Sequence, residues 1–282
     1  MAPKQFPLKG YTLPLTPKGQ SSIVEPPPWY YGGEVMQIIF RADAKRARKL
    51  IPPPLEMGPE PGKGIVWFVE WVSVSESNPD LAFINPERAV YRECLVMIQC
   101  SFRGEPGYIV PHIWVDNDFT MMRGFVQGFP KKLARIYRTK LSELNPKIGG
   151  KRVGAKMKGI CEAHGERIVE GSLVFTRQAV ASELPAVRFY LMRHFPDIED
   201  PAKPAVHELA VSQVSDVRVA DIWAGDADLK FFQSAVEEVA ALAPVEVLGG
   251  FFHSMGLTIT GGKVIHKYPE GTLDRPDCCP LS

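Results

Sequence analysis

The chain has 282 residues, of which 45% are hydrophobic and 23% are charged, and its formal net charge at pH 7 is +1. This is the composition of a water-soluble globular protein with a large core, and so small a net charge argues against binding to nucleic acid or to a membrane surface. No apolar run approaches the roughly 20 residues of a membrane span, and the first residues lack a signal-peptide core, so we expect a cytoplasmic protein.

Three parts are predicted along the chain. Residues 1–30 are rich in proline and lack periodicity, which indicates an extended arm that packs on the body or on a neighbouring subunit. Residues 31–268 contain no low-complexity linker or charged block, so we expect them to form one domain. Residues 269–282 are expected to be a flexible tail.

Most of the predicted elements are strands. They cover, in chain order, 34–41, 65–72, 89–102, 108–115, 132–141, a hairpin of 153–164 with 167–177, and then 206–223 and 245–260. Helices are predicted from Asp43 through Leu50, over 118–127 with Asp116 or Asn117 as the cap, and over 229–242, where apolar residues have amphipathic spacing. This pattern predicts the α+β class, predominantly antiparallel β, with a curved or barrel-like sheet; it leaves barrel and sandwich open.

Two adjacent lysines, Lys131 and Lys132, lie in the apolar segment Gly128-Phe129-Pro130-Lys131-Lys132-Leu133. A lysine amine is a nucleophile only when neutral, which at pH 7 requires its pKa to fall by about 3 to 4 units from roughly 10.4. A neighbouring positive charge at about 6 Å supplies only about 3 kcal/mol of the roughly 5 kcal/mol needed. Neighbours on a strand also point to opposite faces, so burial must contribute the larger share. The alternative interpretation is a solvated surface turn.

The surroundings of this pair resemble the acetoacetate decarboxylase family. The similar segments are Trp114-Val115-Asp116-Asn117-Asp118 followed by the lysine segment, Phe40-Arg41-Ala42-Asp43 with the proline turn at 51–56, and Tyr91-Arg92-Glu93, within a similarity that runs from about residue 33 to about residue 260. The resemblance implies a β-rich barrel that buries its lysine. It also implies that Lys131 forms a Schiff base with a carbonyl substrate and that Lys132 is its electrostatic neighbour. Acetoacetate decarboxylase is the established example of a lysine activated by an adjacent cationic group.

Tyr91 and Glu93 are expected to support this chemistry. They are two residues apart, so on a strand they project from the same face, and a carboxylate on an apolar face is suited to moving protons. By resemblance, Glu93 matches the family's acidic site residue. The alternative is a structural carboxylate paired with an arginine such as Arg92.

Three further residues are candidates for substrate binding. Arg123 and Gln127 are four apart and share one face of the predicted helix. Arg123 is suited to a substrate carboxylate and Gln127 to a carbonyl or hydroxyl, although a surface ion pair is an equal alternative for Arg123. Glu70 is the third candidate, because the family has an acidic residue near this point of the sequence. An alignment without a gap, however, places Val69 at the position of that acidic residue.

Two departures from the family pattern bear on the substrate. Gly33-Glu34 stands where acetoacetate decarboxylases carry an arginine-glutamate pair, and Met122-Arg123-Gly124 replaces a Gly-Arg-Glu element. The segment 123–132, with the opening Lys9 to Leu15, resembles a subgroup of aldolase-dehydratases that act on 2-oxo acids such as pyruvate and on aldehydes.

The sequence therefore predicts a lysine Schiff-base lyase that acts on a small oxo acid. Aldol and dehydration chemistry is favoured, decarboxylation of a 3-oxo acid is the alternative, and a non-catalytic small-molecule-binding barrel is a third hypothesis. Because there is no phosphate loop and no Cys-x-x-Cys spacing, we expect neither a cofactor nor a metal. The amino-terminal arm suggests a homo-oligomer, and the resemblance to the family implies the same.

Overall fold

The structure, a computed structural model, describes residues 6–269. In this part of the chain the strands are β1 (Trp29–Ala42), β2 (Glu56–Met57), β3 (Lys63–Ser75), β4 (Val90–Phe102), β5 (Glu105–Val115), β6 (Lys131–Leu133), β7 (Arg135–Arg138), β8 (Lys156–Ala163), β9 (Glu166–Gln178), β10 (Phe189–Pro196), β11 (Pro204–Phe231) and β12 (Pro244–Lys267). The helices are α1 (Ala44–Arg48), α2 (Leu81–Ile84) and α3 (Asp118–Gln127), with single 3₁₀ turns at Pro86–Arg88, Ala181–Glu183 and Glu238–Leu242.

The strands form one strongly curved sheet that closes on itself. Their order is β10-β5-β4-β3-β1-β12-β11, and β11 also pairs with β10, so these seven described strands make a barrel. The pairs are antiparallel apart from β10 with β5. The second half of β11 leaves the barrel and pairs with β9, which continues into β8 and β7. The predicted class, with its predominantly antiparallel and curved sheet, is confirmed.

Two hydrophobic cores result from the alternation of side chains along the barrel strands. On β4, Leu95 and Met97 face the barrel lumen, whereas Cys94 and Val96 pack in the second core beneath β8 and β9. Because successive side chains on a strand point to opposite faces, both faces of β4 are buried. This explains why the strand reads as a nearly continuous apolar run rather than as an alternating one.

The predicted helix over 229–242 is wrong. Strand β11 continues to Phe231, and only Glu238–Leu242 forms a turn of 3₁₀ helix. Asp226, Asp228 and Lys230 are exposed while the residues between them are less so, which is the period of a strand. The predicted strand over 132–141 is likewise divided, because β6 pairs with β5 and β7 pairs with β8.

The described part of the amino-terminal arm packs against the body. Val24 is completely buried, and Thr12 and Ser22 hydrogen-bond to each other across a turn. The guanidinium of Arg88 donates to the carbonyl of Ile23 at 2.7 Å. The tail expected over 269–282 lies, apart from Pro269, outside the described residues. No helix in residues 6–269 is long and apolar enough to cross a membrane.

An arginine joins the outer face of the barrel to β7. Glu34 on β1 and Glu70 on β3 are directly opposite each other, an arrangement that is unfavourable for like charges. Arg138 lies between them, 3.0 Å from Glu34 and 3.4 Å from Glu70, with only 2% of its side chain exposed. Arg138 therefore bridges two carboxylates that would otherwise repel each other.

We predict that Arg138→Met lowers the free energy of unfolding by about 2 kcal/mol, because the facing carboxylates lose their buried partner. The measurement is urea unfolding at neutral pH. Arg92→Met is the matched control: its side chain is 44% exposed and lies 3.5 Å from Glu70, so a loss below about 1 kcal/mol is expected. Equal losses in the two variants would contradict this account.

Candidate active site

Helix α3 and strand β6 place Lys131 inside the barrel. The side chain of Asn117 accepts a hydrogen bond from the amide of Phe119 and caps the helix directly after β5. After the helix, β6 returns to pair in parallel with β5, with Lys131 beside Ile113. Since Ile113 belongs to the lumen core, its partner on β6 faces the same way. The alternation then turns Lys132 outward.

The amine of Lys131 is held by two polar groups in aromatic surroundings. Its Nζ lies 2.8 Å from Glu93 Oε2 and donates to Thr120 Oγ1 at 2.8 Å. The rings of Tyr91 and Phe129 lie 5.2 Å and 5.8 Å from the same nitrogen. The residue is only 5% exposed, so the amine is screened from bulk water, as the sequence analysis required.

Gly124 makes room for the lysine stem. A Cβ atom at this position would lie 2.5 Å from Lys131 Cδ, so a larger residue on this turn of α3 would displace the stem. Sequence analysis missed both Gly124 and Thr120 as site residues. The available signal was helical spacing, because Thr120, Gly124 and Gln127 follow one another at intervals of three and four and share a face.

Glu93 is fixed by an indole on the neighbouring strand. Trp71 Nε1 donates to Glu93 Oε1 at 3.2 Å, so each carboxylate oxygen has a partner. The indole occupies the space beside Gly33: a Cβ there would lie 2.7 Å from Trp71 Cε3 and 2.3 Å from the carbonyl oxygen of Glu70. Gly33, which stands in place of the arginine of the family pattern, thus allows Trp71 to reach the carboxylate of Glu93.

A small cavity of about 50 Å³ lies at the lysine. Its lining is largely aromatic and includes Tyr31, Trp67, Trp71, Tyr91, Glu93, Gln127, Phe129, Lys131 and Phe189. Burial, and then the charge of Glu93, raise the pKa of Tyr91 well above its ordinary value, so this phenol stays protonated at neutral pH. The Oε1 atom of Gln127 is buried without a hydrogen-bond partner among the described residues and is free to accept one from a ligand.

Arg123 is a buried cation that contacts Tyr31, a residue of the cavity wall. It is 2% exposed, and its Nη1 donates to the hydroxyls of Tyr31 and Ser73, each at 2.9 Å. Its guanidinium lies about 5 Å from aromatic rings, at 5.1 Å from Trp29 and 5.2 Å from Phe119. Within residues 6–269 no carboxylate pairs with it, and its Nε has no partner there. The surface ion pair considered from the sequence is therefore not what the structure has.

Two of the expected site residues lie elsewhere. Lys132 Nζ is 2.7 Å from Glu237 Oε2 on the other side of β6, and its side chain is 45% exposed. Glu237 neutralises the charge of Lys132 there. The expectation that Lys132 is the electrostatic neighbour of Lys131 is therefore corrected. Glu70 does not line the cavity either, because on β3 it faces Arg138, opposite to Val69. Both corrections follow from the alternation of side chains along a strand.

Known proteins of similar sequence identify the family. The family model described as acetoacetate decarboxylase matches residues 12–269. Among curated proteins, acetoacetate decarboxylase 2 of Mesorhizobium japonicum is 30% identical over 243 residues, covering 83% of this chain and 82% of that protein. The acetoacetate decarboxylase of Clostridium botulinum is 25% identical, and the alignment covers 91% of this chain and 93% of that protein. The chain belongs to the acetoacetate decarboxylase family.

Two solved structures are similar to this chain in both sequence and fold. The enduracididine biosynthesis enzyme MppR, in a complex with the condensation product of pyruvate and imidazole 4-carboxaldehyde, is 34% identical with a TM-score of 0.87, covering 95% of this chain and 100% of that one. An acetoacetate decarboxylase-like enzyme from Sphingomonas wittichii is 31% identical with a TM-score of 0.87, covering 92% of this chain and 100% of its own. The resemblance to the acetoacetate decarboxylase family that the sequence indicated is confirmed.

We predict that Gly33→Ala impairs the site whereas Gly32→Ala does not. The new methyl group at 33 would overlap a backbone oxygen and the Trp71 ring, while at 32 the nearest atom is 3.7 Å away. Overpacking of this kind costs about 1–3 kcal/mol, and displacement of Trp71 frees Glu93 Oε1. Thermal unfolding and the rate of carbonyl adduct formation on Lys131 are to be measured for both variants. Similar behaviour of the two would show that the indole does not depend on Gly33.

Proposed function

We propose that the protein is a cofactor-independent lyase that forms a Schiff base through Lys131 on a small 2-oxo acid such as pyruvate, and that makes or breaks an aldol bond with an aldehyde. The observation that carries this proposal is the Lys131 amine in the barrel lumen, 2.8 Å from Glu93 and beside a cavity with aromatic walls. Support for the aldol reaction comes from MppR, a 34% identical structure that has been obtained with pyruvate.

The reaction follows from the groups at the cavity. Lys131 passes a proton to Glu93, which lies 2.8 Å away, and the neutral amine adds to the substrate carbonyl. The carbinolamine then loses water to give an iminium ion. Loss of a proton from the adjacent methyl carbon gives an enamine, which adds to the aldehyde carbon while the aldehyde oxygen takes up a proton. Loss of water from this aldol product and hydrolysis of the iminium then release the unsaturated product and the lysine. Glu93 moves the protons, since its Oε2 contacts the reacting nitrogen.

Arg123 is proposed to hold the substrate carboxylate. A buried guanidinium without a carboxylate partner is costly, and an anionic substrate removes that cost. Gln127, whose Oε1 is unpartnered, and the protonated Tyr91 are proposed to orient the substrate oxygen atoms. The cavity of about 50 Å³ accepts only a small acid at the lysine.

Decarboxylation of a 3-oxo acid is the second candidate. The curated relatives at 30% and 25% identity are acetoacetate decarboxylases, and the same iminium accepts the electrons released with carbon dioxide. Gly33 in place of the expected arginine favours the aldol reaction. A homo-oligomer and a cytoplasmic location stay predictions.

Borohydride reduction in the presence of pyruvate is expected to attach one reduced pyruvate to Lys131, as read by peptide mass spectrometry. Lys131→Ala should abolish the adduct. Lys132→Gln should retain it, because that side chain points away from the cavity. A protein that gives no adduct with pyruvate or acetoacetate would be a non-catalytic binder, and the lyase proposal would be abandoned.

Glu93→Gln is expected to lower the turnover rate by about 10²- to 10⁴-fold, since general acid–base catalysis typically contributes that much. The amide keeps the shape of the side chain, so the pyruvate adduct should still accumulate under borohydride, only more slowly. Steady-state kinetics and trapping on the same preparation separate the two effects. An unchanged turnover rate would assign the proton transfers to another group.

A further inference from the structure

A second and larger cavity adjoins the one at the lysine. Its volume is about 350 Å³, within the usual range for small-molecule sites. Three side chains line both cavities, namely Trp67, Phe189 and Leu257. The two spaces therefore adjoin at these three side chains.

Two buried polar residues line this second cavity. Gln37 is 2% exposed and His253 is 1% exposed. Gln37 pairs with Phe251 across β1 and β12, and Val35 pairs with His253, so Gln37 and His253 are diagonal neighbours on the same face. Diagonal positions of this kind are within reach of long side chains.

Each of these residues has one polar atom without a partner in the described part of the chain. Gln37 Oε1 accepts from Trp67 Nε1 at 2.8 Å, which fixes the amide and leaves its Nε2 as an unused donor. His253 Nδ1 lies 3.4 Å from the carbonyl oxygen of Ser254. In the tautomer that donates to this oxygen, Nε2 is an unused acceptor. Burial lowers the pKa of His253 to about 4, so the ring is neutral at pH 7.

The rest of the cavity wall is apolar. It is formed by segment 181–187 and by valines of β11 at 214–219, together with Met255. An unpaired buried donor and acceptor cost about 1–3 kcal/mol each. A hydroxyl group has the donor and the acceptor that these two atoms lack.

We propose that this cavity is the subsite for the aldehyde substrate, and that it selects an apolar ring that bears a hydroxyl group. This inference rests on the proposed function for its place in the reaction. The ring lies between the apolar walls with its hydroxyl at Gln37 and His253, and its aldehyde carbon points past Trp67 and Phe189 towards the enamine on Lys131. The lysine cavity then binds the small oxo acid, and the second cavity binds the half of the product that comes from the aldehyde.

The first test uses Lys131→Ala, which removes the Schiff base but leaves the second cavity intact. Titration calorimetry should show that p-cresol, an unreactive phenol, binds to this variant. The matched probe 4-methylanisole can accept a hydrogen bond but cannot donate one. It should bind about tenfold more weakly, because it loses the free energy of one hydrogen bond. His253→Leu and Gln37→Leu in that background should each weaken p-cresol binding by a similar factor. Absence of p-cresol binding, or equal binding of the two probes, would overturn the inference.

The second test uses the intact lysine. His253→Leu should raise KM for 4-hydroxybenzaldehyde about tenfold, while KM for acetaldehyde and trapping of pyruvate on Lys131 stay as in the unmodified protein. An equal change in KM for both aldehydes would contradict the subsite. The two proposals fail separately: p-cresol binding without a pyruvate adduct defeats the lyase, whereas an adduct without p-cresol binding defeats only the subsite.

Discussion

The contact between the Lys131 amine and the Glu93 carboxylate is the interaction on which the rest of the site depends. Both groups are nearly excluded from water, and burying either alone would cost several kcal/mol. Each is stable there because the other lies 2.8 Å away and because Thr120 and Trp71 complete their hydrogen bonds. The barrel keeps this pair dry by closing β10 onto β11.

Side-chain alternation decides which polar residues face the lumen. Lys131 and Glu93 face the lumen, whereas their neighbours Lys132 and Arg92 pair with carboxylates on the outside. The same rule separates Val69 in the lumen from Glu70 at Arg138. A shift of one residue in the register of β4 or β6 would exchange these sets. On β4 the register is strongly specified, because the strand is 13 residues long and buried.

The lumen also bears on which of the proposed reactions takes place. In the proposed mechanism the iminium ion accepts electrons from any bond at the adjacent carbon, so the cavity walls select the substrate. In this chain the walls divide the lumen into a small aromatic space at Lys131 and a larger apolar space with two unpaired polar atoms. Gly33 shapes the first of these spaces, because its missing side chain lets Trp71 occupy the space beside Glu93.

The sequence by itself determined the features that depend on neighbours along the chain. The period of the strands, the shared face of Tyr91 and Glu93, and the lysine motif all follow from local spacing, and the structure has each of them. Local spacing left Asp116 and Asn117 as alternative caps of α3, and the structure has Asn117. Local amphipathic spacing failed at 229–242, where pairing with β9 extends β11 and overrides it.

Only the tertiary structure decided which distant residues meet. The partner of Lys132 is Glu237, Arg123 lies among Trp29, Tyr31 and Phe119, and Gln37 and His253 share one cavity. Each of these contacts joins residues far apart in the chain. They arise from the order in which the strands close the barrel, and no spacing within a single segment encodes that order.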